Sequence, residues 1–143
     1  MTRIMTFGAF DLLHYGHMRL LERIASRGDV LSVGLASDAL IASNRKPLPF
    51  YSYEIRREML LHTRYVDEVV LHDGPPDGRG KVKLIEAKIT AVLDNDIDEV
   101  IMGSDWIGEY EFLKPYCRVS YLERTPLIST RMIRTRLRNP PTS

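Results

Sequence analysis

The residues best suited to chemistry are two histidines, His14 and His17, in the segment GAFDLLHYGH at positions 8–17. An apolar, strand-like run precedes this segment and an amphipathic helical pattern follows it. The histidines therefore fall at the start of a helix, where backbone N–H groups and the positive end of the helix dipole attract anions. Imidazole rings add hydrogen-bond donors or positive charge at neutral pH. This combination suits a phosphate group that gains negative charge during a reaction.

Two other interpretations of the histidine pair stay open on the sequence alone. The first is a metal site, although zinc takes three or four ligands and the other donors, His62, His72 and Cys117, show no ligand-like spacing. The second is a structural role for His17, which falls inside the predicted helix. We assign no function to His62 or His72 from the sequence.

Strand and helix patterns alternate along the chain. Strands are predicted at Arg3–Thr6, Val30–Leu35, Val69–Leu71, Val100–Met102 and Val119–Leu122. Helices are predicted at His17–Ser26, in a short segment that Asp38 caps, from Ser52 to about His62, at Lys81–Asn95 and at Ser129–Arg138. This alternation predicts an α/β fold with a Rossmann-like parallel sheet and helices on both faces. We expect one domain at residues 1–138 and a short C-terminal tail at 139–143.

Ligands of such sheets bind beyond the carboxyl ends of the strands. The histidine segment, the Gly103–Trp106 stretch and the start of the last helix all fall at that edge. The dinucleotide pattern GxGxxG and the phosphate-loop pattern GxxxxGK are both absent from the sequence. The chain is therefore neither an ordinary NAD-dependent enzyme nor a P-loop NTPase.

Helical spacing and side-chain size assign several residues to the core. The apolar stripe of the helix at 81–95 consists of Leu84, Ile85, Ile89, Val92 and Leu93. Trp106 is predicted to lie in the core rather than to stack on a base. Cys117 is predicted to be a core or sheet residue rather than a catalytic thiol.

Composition narrows the class of protein. The 143 residues suffice for one domain with a core, and the net charge of +1 gives no argument for nucleic-acid binding. Arg131, Arg134, Arg136 and Arg138 are the local exception, and we interpret them as a solvated helix face. No apolar run approaches the roughly 20 residues that cross a bilayer. We therefore expect no membrane partner. Cys117 is the only cysteine, so we expect no internal disulfide and a cytoplasmic protein.

Two loops stand apart from this pattern. The segment Ser43–Tyr51 contains Lys46, a candidate phosphate ligand, and Arg45 is the alternative if the alignment shifts by one residue. The segment Asp73–Gly80 is rich in glycine and proline, and we expect it to be exposed and mobile.

Two motifs at opposite ends of the chain resemble one known family. The segment at 8–17 matches G-x-F-D-x-x-H-x-G-H, and RTPLIST at 124–130 is similar to R-T-x-G-I-S-T. Both patterns are signatures of the cytidylyltransferase family of nucleotidyltransferases. Between them, SYE at 52–54, RYVDEV at 64–69 and MGSDW at 102–106 resemble the family members that use glycerol 3-phosphate. The matches are collinear and span residues 3–136.

This resemblance implies transfer of CMP from CTP to a phosphorylated small molecule. Glycerol 3-phosphate is the leading acceptor, and the products are then CDP-glycerol and pyrophosphate, for wall or capsule polymers. Family members of this size are commonly homodimers that bind the nucleotide together with Mg²⁺. The resemblance gives the protein itself no metal ligands, so the Mg²⁺ is expected to arrive on the triphosphate.

The resemblance also assigns roles to residues of this chain. The catalytic residues that it implies are His14, His17, Lys46 and Arg124. The nucleotide-binding residues that it implies are Gly8, Ala9, Phe10, Gly16, Asp105, Thr125, Ser129 and Thr130. The acceptor-binding residues are Asp11, Arg64 and Lys81, with Arg79 and Lys83 as alternatives to Lys81. Asp105 as a helix cap, and Arg64 paired with Asp67 or Glu68, are structural alternatives that stay open.

The chain departs from the family pattern at three places. Leu127 stands where the R-T-x-G-I-S-T motif has glycine, and Arg131 replaces the second threonine of the motif. The segment between Val70 and Ile89 is longer than in the family members that use glycerol 3-phosphate. Two other functions therefore stay open. The first is the same chemistry with ATP as donor, or with another phosphorylated polyol or a phosphonate as acceptor. The second is a nucleotide-binding module without turnover.

Overall fold

The computed structural model describes residues 1–43, 47–74, 84–123 and 129–140. The strands are β1 (Arg3–Gly8), β2 (Val30–Ala36), β3 (Glu68–His72), β4 (Glu99–Gly103) and β5 (Arg118–Leu122). The helices are α1 (Tyr15–Ala25), α2 (Asp38–Ser43), α3 (Tyr53–Leu61), α4 (Ile85–Asp94) and α5 (Thr130–Arg138). Short 3₁₀ turns at Ser104–Trp106 and Glu111–Leu113 were not predicted. Each predicted strand and helix is present, with ends that differ by a few residues.

The five strands form one parallel sheet with the order β3-β2-β1-β4-β5. The chain first adds strands on one side of β1 and then crosses to the other side. The strand order therefore reverses between β1 and β4, and such a reversal opens a crevice at the carboxyl ends of the two strands. The predicted Rossmann-like α/β fold is confirmed.

Alternate residues of β1 point to opposite faces of the sheet. Ile4 packs with Leu21 of α1 in one buried cluster, whereas Met5 and Phe7 pack with Val92 of α4 in another. Helices thus cover both faces, and the strands are apolar on both sides. Within the described ranges, the longest helices are too short and too polar to span a bilayer.

Two core assignments are wrong. Trp106 is 45% exposed, because it belongs to the 3₁₀ turn after β4 and meets the buried Tyr110 ring only edge-on. Leu93 is 53% exposed, because α4 turns the neighbouring Val92 toward the sheet instead. Cys117 is partly buried beside the Met5 cluster, just before β5, in agreement with its prediction.

Candidate active site

The turn between β1 and α1 has an unusual backbone. Phe10 and Leu12 both adopt positive φ angles, 48° and 51°, which L residues rarely adopt. The Phe10 ring is buried in the core and lies 5.4 Å from the His17 ring, centroid to centroid. A Cβ atom at Gly8 would come within 2.8 Å of the Phe10 ring, so only glycine leaves room for this turn. The turn therefore fixes the position of His17 through Phe10.

His14 is the N-cap of α1. Its Nδ1 atom accepts hydrogen bonds from the backbone N–H groups of Gly16, at 3.0 Å, and His17, at 3.4 Å. The backbone N–H of His14 donates in return to Nδ1 of His17, at 3.3 Å. The two rings stack with centroids 3.9 Å apart. The pair thus forms a reciprocal capping box in which histidines replace the usual hydroxyl and carboxyl groups.

This capping arrangement fixes the protonation of both rings. An Nδ1 atom that accepts a hydrogen bond carries no proton, so the neutral ring carries its proton on Nε2. Burial lowers the pKa of His17 to about 4, an effect that His14 strengthens and Asp11 opposes. Burial also lowers the pKa of His14. Without a ligand, both rings are therefore neutral at pH 7, and each retains one Nε2–H donor for an anion.

Asp11 joins three parts of the site. Its carboxylate accepts hydrogen bonds from the backbone N–H groups of Phe50, at 2.6 Å, and Tyr51, at 3.0 Å. The same carboxylate forms an ion pair with Arg134 of α5, at 2.9 Å, and its backbone carbonyl accepts from the Thr130 hydroxyl, at 3.3 Å. Both carboxylate oxygens are thus engaged within the protein. Asp11 organises the site, and its contacts do not present it as a direct ligand of the acceptor.

A cavity of about 510 Å³ opens at the carboxyl edge of the sheet. Its wall includes the end of β1 at Gly8, the end of β2 at Ala36, the end of β3 at His72 and the end of β4 at Gly103. The start of α5 contributes Thr130. The cavity therefore lies where the strand order predicts a ligand site.

Most of the predicted site residues in the described ranges converge on this cavity. Those in its lining are Gly8, Ala9, Phe10, Asp11, His17, Asp105 and Thr130. His14 is not one of the lining residues but stacks on His17, which is, and Ser129 is the N-cap of α5, where its hydroxyl accepts from the Met132 N–H. Gly16 uses its N–H for the His14 cap. Lys46, Lys81, Arg124 and Thr125 lie outside the described residues, as do Arg45, Arg79, Lys83, Leu127 and most of the segment Asp73–Gly80.

The structure does not bring Arg64 to this cavity. Arg64 is exposed and precedes β3, at the amino edge of the sheet, whereas the cavity lies at the carboxyl edge. The pairing considered for it is not formed either. Glu68 pairs with Arg3, and Asp67 accepts from the Leu31 N–H. Arg64 belongs to the RYVDEV segment that resembles the family, but a local resemblance does not show at which edge of the sheet a residue lies.

Three basic or imidazole side chains of the cavity wall were not predicted: Lys88, Arg134 and His72. Lys88 is only 6% exposed, and its ammonium lies 5.4 Å from the Phe7 ring centroid and 5.5 Å from that of Tyr110. The sequence did contain a signal for it. Lys88 lies four residues after Leu84 and four before Val92, so it interrupts the apolar stripe of α4.

Arg56 is a second buried cation that the sequence analysis missed. It is completely buried and donates to the backbone carbonyls of Tyr51, Ala9 and Ala36, at 3.0, 2.8 and 2.9 Å. It also pairs with Asp38 at 2.6 Å. Arg56 thus links α3 to the histidine loop, which is the segment at positions 8–17, and also to the end of β2 and to α2. It supports the cavity wall from behind without lining it.

The helix termini at the cavity favour anions. The first turns of α1 and α5 contain no acidic residue, whereas those of α2, α3 and α4 contain Asp38, Glu54 and Glu86. Among the described residues, no group of three or more His, Cys, Asp or Glu side chains is placed to hold a metal ion. The described part of the site is therefore a phosphate environment built from helix N-termini, imidazoles and cations.

Comparisons with known proteins agree with this environment. The sequence profile of the cytidylyltransferase-like family matches residues 5–136. Glycerol-3-phosphate cytidylyltransferase from Bacillus subtilis is 42% identical over 134 residues, which cover 94% of this chain and 95% of that protein. The enzyme of the same name from Staphylococcus aureus is 43% identical over 137 residues, which cover 96% of each chain.

A solved structure shares the fold. The lipopolysaccharide core biosynthesis protein from Thermoplasma volcanium superposes with a TM-score of 0.65, at 22% identity, over 87% of this chain and 98% of that one. This likeness concerns the fold alone. The family that the two sequence motifs predicted is confirmed by the profile and by the two bacterial relatives. This chain belongs to the cytidylyltransferase-like family.

Proposed function

We propose that this protein transfers CMP from CTP to glycerol 3-phosphate, which gives CDP-glycerol and pyrophosphate. The single observation that carries the chemistry is the His14–His17 capping box, which leaves two neutral Nε2–H donors at the N-terminus of α1. The choice of substrates is supported by the names of the two bacterial relatives and by the extent of their match.

The order of the strands divides the cavity into two sides. Asp105 follows β4 and Thr130 follows β5, so we assign the nucleotide to that side. Ile41 of α2 and His72 of β3 line the other side, to which we assign the acceptor. His17 follows the central strand β1 and lies between the two. This arrangement suits in-line attack, because the α-phosphorus then lies between the incoming and the leaving oxygen.

The reaction needs no general base. The second pKa of an acceptor phosphate is near ~6, so one of its oxygens is already a competent nucleophile at neutral pH. That oxygen forms a bond to the α-phosphorus, and the bond from the α-phosphorus to the bridging oxygen of the β-phosphate breaks. The electron pair leaves with pyrophosphate. The two Nε2–H groups stabilise the negative charge that gathers on the phosphate oxygens during this step.

Lys88 is our candidate ligand for the acceptor phosphate. Its buried ammonium borders the cavity between the rings of Phe7 and Tyr110, and it is close enough to His72, on the acceptor side, to lower the pKa of that ring. A buried cation at this position offsets the unfavourable transfer of a doubly charged phosphate from water into the cavity. Lys81, the sequence-based candidate, lies outside the described residues and stays a prediction.

Magnesium, dimerisation and compartment also stay predictions. Mg²⁺ needs only one or two protein oxygens beside the phosphates of a nucleotide, so the described residues, which hold no carboxylate cluster, fit a Mg²⁺–CTP substrate. Asp105, which lines the nucleotide side, is the described carboxylate placed to assist. We expect a cytoplasmic homodimer, and sedimentation of the purified protein with and without CTP tests the dimer.

Pyrophosphate release tests the proposed function. CTP and ATP are each combined with glycerol 3-phosphate and with a panel of phosphorylated polyols, in the presence of magnesium. We expect turnover with CTP and glycerol 3-phosphate. Turnover with another pair alone would keep the chemistry and reject these substrates. CTP binding without any turnover would favour a nucleotide-binding module.

A further inference from the structure

His72 is a buried imidazole in the cavity wall, and it lies on the side opposite the one assigned to the nucleotide. It is the last residue of β3 and is 6% exposed. Its Nε2 atom is buried and has no hydrogen-bond partner, and no other described buried side-chain nitrogen or oxygen shares this condition. An unsatisfied buried polar atom is unfavourable, because it has lost its hydrogen bonds to water and gained none from the protein. Because the His72 ring borders the cavity, a ligand there can supply the missing partner once the ring turns Nε2 toward it.

The surroundings of His72 hold the ring on the acceptor side. Val70 and His72 point to the same face of β3, which is the face that carries Phe7. The Phe7 ring lies 5.1 Å from the His72 ring, and it reaches there by crossing β2 at Gly34. A Cβ atom at Gly34 would come within 2.4 Å of the Phe7 ring, so the glycine is required for this contact.

Charge separates the tasks of His72 and Lys88. Burial lowers the pKa of His72 to about 4, the Lys88 cation lowers it further and Asp73 opposes both effects. At pH 7 the ring is therefore neutral, with one N–H donor and one acceptor lone pair. The Lys88 ammonium can only donate, whereas the neutral His72 ring has both a donor and an acceptor and therefore matches a hydroxyl group, which also does both.

We propose that His72 is a specificity-determining residue whose Nε2 atom forms a hydrogen bond with a hydroxyl group of the phosphorylated polyol acceptor. This inference rests on the proposed function. The ring borders the cavity, and rotation about its Cβ–Cγ bond changes the edge that it presents there. The hydrogen bond therefore needs a side-chain rotation and no backbone movement.

Analogues of the acceptor that each lack one hydroxyl test this inference. The acceptors are glycerol 3-phosphate, 3-hydroxypropyl phosphate and 2-hydroxypropyl phosphate, each assayed with CTP on the wild type, His72→Phe and His72→Gln. One hydrogen bond corresponds to about tenfold in kcat/KM. We expect the wild type to prefer glycerol 3-phosphate over one analogue by about tenfold, and His72→Phe to lose this preference. His72→Gln places an amide near the position of Nε2 and should restore part of it, with the KM for CTP unchanged.

Several outcomes would overturn the inference. One is an equal loss by His72→Phe with all three acceptors, which indicates a structural role, and another is no loss at all. If His72→Phe does not fold, His72→Asn replaces it, because its amide reaches only the position of Nδ1 and should also lose the preference. A wild type that releases no pyrophosphate from CTP and glycerol 3-phosphate would reject the proposed function and this inference together. An active wild type leaves only the role of His72 in question.

Discussion

His14 combines a structural and a chemical role in one ring. Its Nδ1 atom satisfies two backbone N–H groups at the start of α1, and this leaves Nε2 with the proton. Helix capping therefore sets the tautomer that a phosphate requires. The ring is also held by its stack on His17 at 3.9 Å, so the donor is oriented before a substrate arrives.

His14→Asn separates the two roles. Asparagine is among the best N-cap residues, and its side-chain oxygen takes the position of Nδ1, so we expect the free energy of unfolding to change by less than about 0.5 kcal/mol. The Nε2–H donor is lost, and we expect kcat to fall by about 10²–10³-fold. Denaturant unfolding and pyrophosphate release measure the two effects.

His62→Asn is the matched control for this prediction. His62 is exposed and follows α3 as its C-cap, away from the cavity lining. The control should retain wild-type turnover. A loss of stability in His14→Asn that matched its loss of turnover would contradict the separation of capping from chemistry.

At the scale of elements, buried charged side chains hold the cavity walls together. Arg56 joins the histidine loop to α2 and α3 through three carbonyls and Asp38. Asp11 joins the same loop to residues 50–51 and to α5. These links fix the relative positions of segments that have few apolar contacts of their own, and α5 has no buried residue at all.

Arg56→Met should destabilise the protein by about 2–4 kcal/mol, because it leaves buried carbonyl groups without donors. Arg56→Lys should rescue little of this loss, since one ammonium cannot reach acceptors in three segments. Urea unfolding provides the measurement. Arg57→Met is the control, since Arg57 is exposed, and its unfolding free energy should stay within about 0.5 kcal/mol of the wild type. Equal effects at the two positions would refute the role of Arg56.

Arg134→Met tests the attachment of α5. Without the ion pair to Asp11, the N-terminus of α5 is less well positioned for the triphosphate, and we expect the KM for CTP to rise about tenfold. The melting temperature should change little, because α5 contributes no buried residue. Steady-state kinetics with CTP varied measure the effect. Arg138→Met, an exposed arginine near the end of α5, should leave the KM unchanged.

At the scale of the whole molecule, buried histidines make stability depend on pH. Burial lowers the pKa values of His17 and His72 from 6.5 to about 4, so the unfolded chain binds more protons than the native state between these values. Stability from this source is complete above about pH 6.5 and is lost as the pH falls toward 4. Each histidine contributes a slope of up to ~1.4 kcal/mol per pH unit in this window.

His72→Gln should therefore reduce the loss of unfolding free energy between pH 7 and pH 5. The remaining slope comes largely from His17, and His17→Asn should reduce it in the same way. Urea unfolding at several pH values measures the slopes. An unchanged slope in His72→Gln would show that folding does not lower the pKa of His72.

Local patterns in the sequence determined the order of the strands and helices along the chain, the turn at positions 8–17 that carries His14 and His17, and the family. Each depends on residues within a few positions of one another, since periodicity, capping and turns are local. Only the tertiary structure placed Lys88, His72 and Arg134 in one cavity and Arg64 at the opposite edge. These positions depend on strand order, which brings together residues as distant as Asp11 and Arg134, 123 positions apart. Charged side chains inside apolar stripes were the one local sign of this arrangement, because a buried charge persists only where distant partners or a ligand compensate it.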